Sequence, residues 1–558
     1  MAASTQHLDR FRRWLAAHPA QAGWVLVAVG LACYLTALPN ALVWDDLDWI
    51  VGNTYVHDFG YLRELFSQSV TAGAGIVSNY WRPLLSLTFA FEWQAWGDWA
   101  PGYHAVSLLV HLAAGAVLWR YLRRLTGRPL LSFGTALVFL VHPVQVEAVA
   151  FVAGRGDALS VLLMLAALNR YLTYLERRQV GAWWGAAAIF VLALMVKETA
   201  VVLPGLVLLT DWYYWRKATN PEPWRVYLRD VAVRLAPFAG LALGYVLLRG
   251  TLLNFQNTFN LYSEVNAYTE HLWVRLLTFA AASTWYLGLL VAPIRLHMER
   301  QLAFQTSLFE PVVLLGLALI TGALVLAVRS FRRAPERTFG VLWAAVALAP
   351  VSGLVAPVSG LVYEHFLYLA LPGAALVAGS YLAGALRLWP RLRPYLAGVS
   401  LMFLFALGLR TVIQNRVWST PITLYEHVLR YNQSSLRVWN NLGMAYDEAD
   451  RHEDAVAAYQ RAIALDGAHE SAPPRHNLGV SYQALGRTAE AIRAYRAALE
   501  IDPGFIFSYQ NLVALYVKQG RYAEAKQALE QALQRFPRNE RFEYNLRAVE
   551  QLMGQLLR

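Results

Sequence analysis

Cysteine is nearly absent: the chain has one, Cys33, in 558 residues. No intramolecular disulfide framework can form, and the redox compartment cannot be read from it. Charge is scarce as well. Asp, Glu, Lys and Arg make up 15% of the chain, against about 25% in an ordinary soluble domain. With 57% hydrophobic residues and 20 Trp, that deficit excludes a wholly soluble protein and places most of the chain in a bilayer. The scarcity is uneven. Residues 1–415 hold long apolar runs, whereas 416–558 hold an ordinary mixture of Glu, Arg, Gln and Ala. The expected fold class is all-α, with a polytopic helical membrane domain over 1–415 and a soluble tail over 416–558.

Runs long enough to span recur at Ala22–Leu38, Tyr103–Leu122, Leu130–Ala150, Ala158–Tyr174, Ala182–Val196, Thr199–Tyr214 and Val231–Leu248. Four more lie at Pro311–Val328, Phe339–Val355, Tyr363–Leu386 and Tyr395–Leu409. The first run lacks a small-residue cleavage site and many others follow it, so it reads as a span and not a cleaved signal. A twelfth run, Leu272–Val291, is interrupted by Arg275 and several small residues.

Short loops rich in Lys and Arg mark the cytoplasmic side. Such clusters surround Arg12, Arg124, Arg177, Arg229, Arg333 and Arg391. Eleven spans from a cytoplasmic N-terminus put every cluster on that side, provided Leu272–Val291 is re-entrant or interfacial. The tail is then non-cytoplasmic, and a multi-pass integral membrane protein is expected. The net charge of +11 is thereby a topology signal and does not imply nucleic-acid binding.

The tail repeats itself. Leu442, Gly443, Tyr446, Ala455, Tyr459 and Ala462 recur as Leu478, Gly479, Tyr482, Ala491, Tyr495 and Ala498. A third copy carries Leu512, Tyr516, Ala525, Leu529 and Ala532. Spacings of about 34–36 residues, with small residues where helices approach, match tetratricopeptide helix pairs. Repeats are expected at about 436–469, 472–505 and 506–539, the first widened by an insertion at Glu470–Pro474. A helix of a degenerate repeat is expected at 420–434 and a capping helix at Arg541–Leu557. Such a stack offers a groove for a peptide segment and carries no catalytic constellation.

Chemistry concentrates at the non-cytoplasmic ends of the spans. Asp45-Asp46 follows the first run, and Asn79-Tyr80-Trp81-Arg82-Pro83 lies in the same long loop. His142-Pro143, Glu147 and Gly154-Arg155-Gly156-Asp157 follow the third run, while Lys197-Glu198 and Glu364-His365 stand at later ones. Charges held at membrane depth pair, line a pathway or bind something. A carboxylate at such a face can take a proton from an attacking hydroxyl, and cations can stabilise a departing phosphate. Asp45 or Asp46 supplies the first; Arg82, Arg155, Lys197 and His365 supply the second. Bland readings stand beside these. Arg155 and Asp157 could clamp each other, Glu147 could bond Lys197, His142 could shape a helix end, and His104 and His111 could simply pack. Asp45-Asp46 could also hold a divalent ion, although no third ligand is evident.

These motifs, together with Gly102-Tyr103-His104 and the stretch from Glu364 to Pro372, resemble the TMTC-like group of GT-C O-mannosyltransferases, which carry tetratricopeptide tails, in a compact bacterial form. His142 to Val149 and Gly154 to Asp157 are the most specific match. Ala200 departs from the pattern, where a Gly is more usual, and only three full repeats are present. The resemblance implies a GT-C fold over the first ~370 residues and a polyprenyl-phosphate sugar donor in the membrane. It also implies that an acid of the first outer loop acts on the acceptor. The implied activity is transfer of a hexose, mannose above all, to a hydroxyl of a protein or glycan, with the repeats recruiting that acceptor. Asp45 and Asp46 become the expected catalytic residues. Arg82, His142, Glu147, Arg155, Asp157, Lys197, Glu198, Glu364 and His365 become the expected donor- and substrate-binding residues. Two other functions fit the same sequence: a non-catalytic membrane-anchored scaffold, and a ligase or carrier of lipid-linked glycans.

Overall fold

The computed structural model describes residues 2–556, apart from 219, 221, 260, 263 and 468–470. Its contacts divide the chain into two compact units, Met1–Thr420 and Pro421–Arg558. Both are helical; among the described residues the one extended pairing outside helices is a single bridge between Leu261 and Val358.

In the first unit each of the eleven expected runs folds as helix. Eight helices are long and apolar enough to cross a membrane, or nine if a bent pair is one span. That pair, Pro129–Val141 and Pro143–Ala150, turns by 53°. Pro143 has no N–H to continue the ladder and drives His142 into extended backbone. A count of eleven must include Val180–Val196, Leu203–Lys217 and Pro335–Leu348, of 17, 15 and 14 residues. At 1.5 Å per residue the shortest is about 21 Å long, short of a core of about 30 Å. By length and composition alone eight or nine helices qualify as spans, and these three fall short.

Leu272–Val291 is one continuous helix of 20 residues and is itself long and apolar enough to cross. It packs mainly against the next apolar helix, Pro311–Arg333. Just before it, Tyr268 donates to the Val358 carbonyl at 3.3 Å. Near its far end Tyr286 donates to Leu361 O at 2.5 Å, and His142 Nε2 meets Leu290 O at 3.0 Å. Both ends thus touch the segment between Pro335–Leu348 and Leu367–Leu388.

The basic clusters are tied down at the opposite end. Arg124 pairs with Glu176 at 2.7 Å, Arg128 pairs with Glu336, and Lys217 donates to Leu125 O at 3.1 Å. Arg234 grips both oxygens of Asp211, which also accepts from Tyr171. The two ends of the bundle are therefore chemically distinct, one basic and the other acidic and mixed.

The tail unit runs through helix pairs Leu436–Glu448 with His452–Leu465, Ala472–Ala484 with Thr488–Ile501, and Ile506–Lys518 with Tyr522–Arg535. Pro421–Leu429 precedes them and Glu540–Leu556 follows. Glu470 of the expected insertion and Leu557 of the expected cap lie outside the described residues. Gly443 and Gly479 are required by close approach: a Cβ there would stand 2.5 and 2.6 Å from the Tyr459 and Tyr495 rings. Each repeat also rebuilds one corner. Arg451, Arg487 and Arg521 stack on Tyr446, Tyr482 and Tyr516 while pairing with Asp454, Glu490 and Glu524. The residue before each Arg is left-handed: Asp450 (φ 57°), Gly486 (72°) and Gly520 (71°).

Candidate functional site

The first outer loop begins with Trp44 in the left-handed region at φ 56°, a conformation that costs a bulky side chain roughly 1–2 kcal/mol and recurs at functional sites. The turn sends Asp45 and Asp46 into different environments. Asp46 is fully buried. Its Oδ2 accepts from Val43 N at 3.0 Å and its Oδ1 from Ala153 N at 2.6 Å. Burial pushes the carboxyl up to about 7, against the downward pull of those two N–H groups. Asp45 stays half-exposed. It lies close enough to Tyr80 to help burial raise that phenol.

Tyr80 leads to Arg82. The buried guanidinium lies 4.2 Å from the Tyr80 ring centroid and 5.4 Å from that of Trp49. Its Nε and Nη2 form a fork on Glu198, at 3.2 and 2.6 Å. Burial alone would raise the Glu198 carboxyl, but Arg82 outweighs it and holds the group down to about 2. Next to this pair Lys197 Nζ donates to Asp157 Oδ2 at 2.6 Å. Gly156 lies between the two side chains: a Cβ there would stand 3.9 Å from both Arg82 Nη1 and the Lys197 Cδ methylene. Two basic groups thus flank a patch of chain that has no side chain of its own. Arg82 Nη1 bonds none of the described residues.

Arg155 does not join this cradle. It is fully buried and its donors are taken. Nη1 and Nη2 grip Glu92, Nη2 also donates to Tyr103 O at 2.7 Å, and Nε donates to Ser107 Oγ at 2.9 Å. The clamp with Asp157 is not formed, because Lys197 takes Asp157 and Glu92 takes Arg155. Glu147 likewise does not meet Lys197. Its Oε1 bonds His365 Nδ1 at 2.8 Å and its Oε2 accepts from His365 N at 3.1 Å. Glu364 pairs with Arg300 at 2.6 Å, and burial raises its carboxyl, which Arg300 opposes. His142 shapes the bend, its Nδ1 accepting from Val144 N at 3.2 Å. His104 meets Ala41 O, and His111 meets the Tyr368 hydroxyl at 2.7 Å. Among the described residues no three His, Cys, Asp or Glu side chains converge as metal ligands.

Two contributors escaped the sequence reading. Glu92 carried a signal, as the one charged residue of the apolar helix Pro83–Trp96, the setting in which an acid demands a partner. Arg300 carried none: it sits in an irregular stretch and becomes notable only through Glu364.

Comparisons with known proteins match separate stretches of the chain. Residues 83–241 match the family model described as dolichyl-phosphate-mannose-protein mannosyltransferase, and 434–504 and 476–550 match tetratricopeptide repeat models. A protein O-mannosyl-transferase of Caenorhabditis elegans is 23% identical over 80% of this chain and 63% of its own length. The human protein O-mannosyl-transferase TMTC1 is 26% identical over 83% of this chain and 57% of its own. The chain therefore spans about three-fifths of the length of these relatives. Among solved structures, ArnT from Cupriavidus metallidurans bound to undecaprenyl phosphate aligns with 85% of this chain and 80% of its own. Its identity is 16% and its TM-score 0.42. The TMTC-like resemblance seen in the motifs is thus met by the family model, the relatives and the repeats together.

Proposed function

We propose that the protein transfers a hexose, mannose in keeping with the relatives' names, from a polyprenyl phosphate to a hydroxyl of a protein or glycan acceptor. The chemistry takes place at the acidic end of the bundle. The observation that carries this reading is the cradle over Gly156, where Arg82 and Lys197 converge beside the half-exposed Asp45. Arg presents a fork suited to phosphate oxygens and Lys a point charge. Together they stabilise the phosphate as it departs. Asp45 takes the proton of the acceptor hydroxyl. Asp46 acts instead as a brace, since both its oxygens are engaged by backbone N–H groups. Arg155, consumed by Glu92, fixes the start of its helix and leaves the phosphate to Arg82 and Lys197. Basic loops at the far end make that end cytoplasmic, so transfer occurs on the non-cytoplasmic face, where the repeats recruit the acceptor.

The test is transfer of labelled mannose from a short-chain polyprenyl-phosphate donor by the full-length protein in membranes. Asp45→Asn is expected to lose about 10²–10⁴-fold in rate. An Asp45→Asn protein as active as the unchanged one would remove the base from this scheme. Absence of transfer by the unchanged protein from any lipid-linked hexose would remove the scheme itself.

A further inference from the structure

The reaction proposed above gives the leaving phosphate two cations but no proton, and the Glu147–His365 contact supplies the missing part. Glu147 engages His365 twice, through Nδ1 at 2.8 Å and the backbone N–H at 3.1 Å. A carboxylate on Nδ1 fixes the hydrogen at that nitrogen and leaves Nε2 as the working atom. The imidazole is 22% exposed, whereas the Glu147 side chain is 6% exposed. His365 Nε2 bonds none of the described residues.

Position joins this dyad to the cradle. A Cβ on Gly154 would stand 2.7 Å from Glu147 O, so the turn after Val146–Ala150 folds back against Glu147. Two residues later the chain reaches Gly156, and Asp157 holds Lys197. One turn beyond His365, Tyr368 lies within electrostatic reach of Asp157. Arg300 faces Glu147 and Glu364, and Glu364 is held by Arg300 at 2.6 Å. The Tyr363 ring stacks on the imidazole at 5.2 Å. The ring is thus braced from behind by a buried network and open on one side.

Resting on the transferase reading, the geometry points to His365 as a second catalytic residue, delivering a proton from Nε2 to the departing phosphate. The acceptor oxygen bonds to the anomeric carbon and gives its proton to Asp45. The bond from the anomeric carbon to the phosphate oxygen breaks, and its electron pair stays on that oxygen, which takes the Nε2 proton. Asp45 then releases a proton to water and His365 regains one from it. Glu147 is the positioning residue.

His365→Asn is the informative variant, because its amide nitrogen replaces Nδ1 on Glu147 and nothing replaces Nε2. Rates are measured on the full-length protein with two short-chain donors that differ by fluorine at the first prenyl carbon. Fluorine makes the leaving phosphate more acidic and less dependent on a donated proton. Expected are a fall in kcat of about 10²-fold on the ordinary donor, a donor KM within about threefold, and a roughly tenfold smaller fall in kcat on the fluorinated donor. Glu147→Gln, expected to show the same donor dependence with a smaller loss, carries the test if His365→Asn does not fold. An unchanged kcat, an equal loss on both donors, or a loss confined to KM would overturn the role of His365 while leaving the transferase standing. Inactivity of the unchanged protein on both donors would overturn the two together.

Discussion

Asp46 accepts a 2.6 Å hydrogen bond from the backbone N–H of Ala153, 107 positions further along the chain. With the Val43 N–H on its other oxygen, this carboxylate sews the first outer loop to the turn that carries Arg155, Gly156 and Asp157. Its neighbour Asp45 stays half-exposed. The two adjacent acids therefore occupy different environments, one buried and doubly bonded, the other partly exposed.

Asp46 makes stability depend on pH. Its carboxyl rises from an ordinary 3.8 to about 7 in the folded chain, so the folded state binds the extra proton between those values. Stability from this group is full below about pH 4, declines as pH rises toward about 7 and is level above. Asp46→Asn is expected to flatten that decline, read as the difference in Tm between the two proteins in detergent from pH 4 to 8. Parallel curves would refute it.

Gly156→Ala separates binding from folding. Alanine favours a helix over glycine by up to about 1 kcal/mol, and its Cβ meets Leu85 at 3.3 Å and both Arg82 Nη1 and the Lys197 Cδ methylene at 3.9 Å. The donor KM should rise about tenfold with Tm unchanged or higher. A normal KM would show that the phosphate sits elsewhere.

Glu92→Ala should be the most damaging single change. It strands the fully buried Arg155, a loss of about 3–5 kcal/mol. Replacing both residues by Leu should recover part of that loss, because removing a whole buried pair costs less than breaking it. Thermal unfolding of the two variants and the unchanged protein decides; a double variant less stable than Glu92→Ala would contradict it.

In the tail, Asp450 occupies the left-handed corner that Gly486 and Gly520 fill in the next two repeats. Asp450→Gly is expected to stabilise the tail by about 0.5–1 kcal/mol, measured as a shift in its urea midpoint. A lower midpoint would mean that the aspartate side chain contributes more than its backbone costs.

The sequence alone determined the two-part chain, the apolar runs, the repeat register and the convergence of polar motifs at one end. These follow from local composition, a 34–36-residue period and the cost of charge in lipid, all legible without knowing what touches what. It did not fix where each span ends, because an apolar run does not report where a helix stops at a Pro or a 3-10 turn. Only the tertiary structure decided which acid meets which base. Arg82 and Glu198 are 116 positions apart, and Glu147 and His365 are 218 apart. Between such distant residues a charge selects its partner by position in the packed bundle, so Arg155 went to Glu92, Lys197 to Asp157 and Glu147 to His365. Burial, equally a property of the assembled fold, then separated two adjacent aspartates that are chemically identical in the sequence.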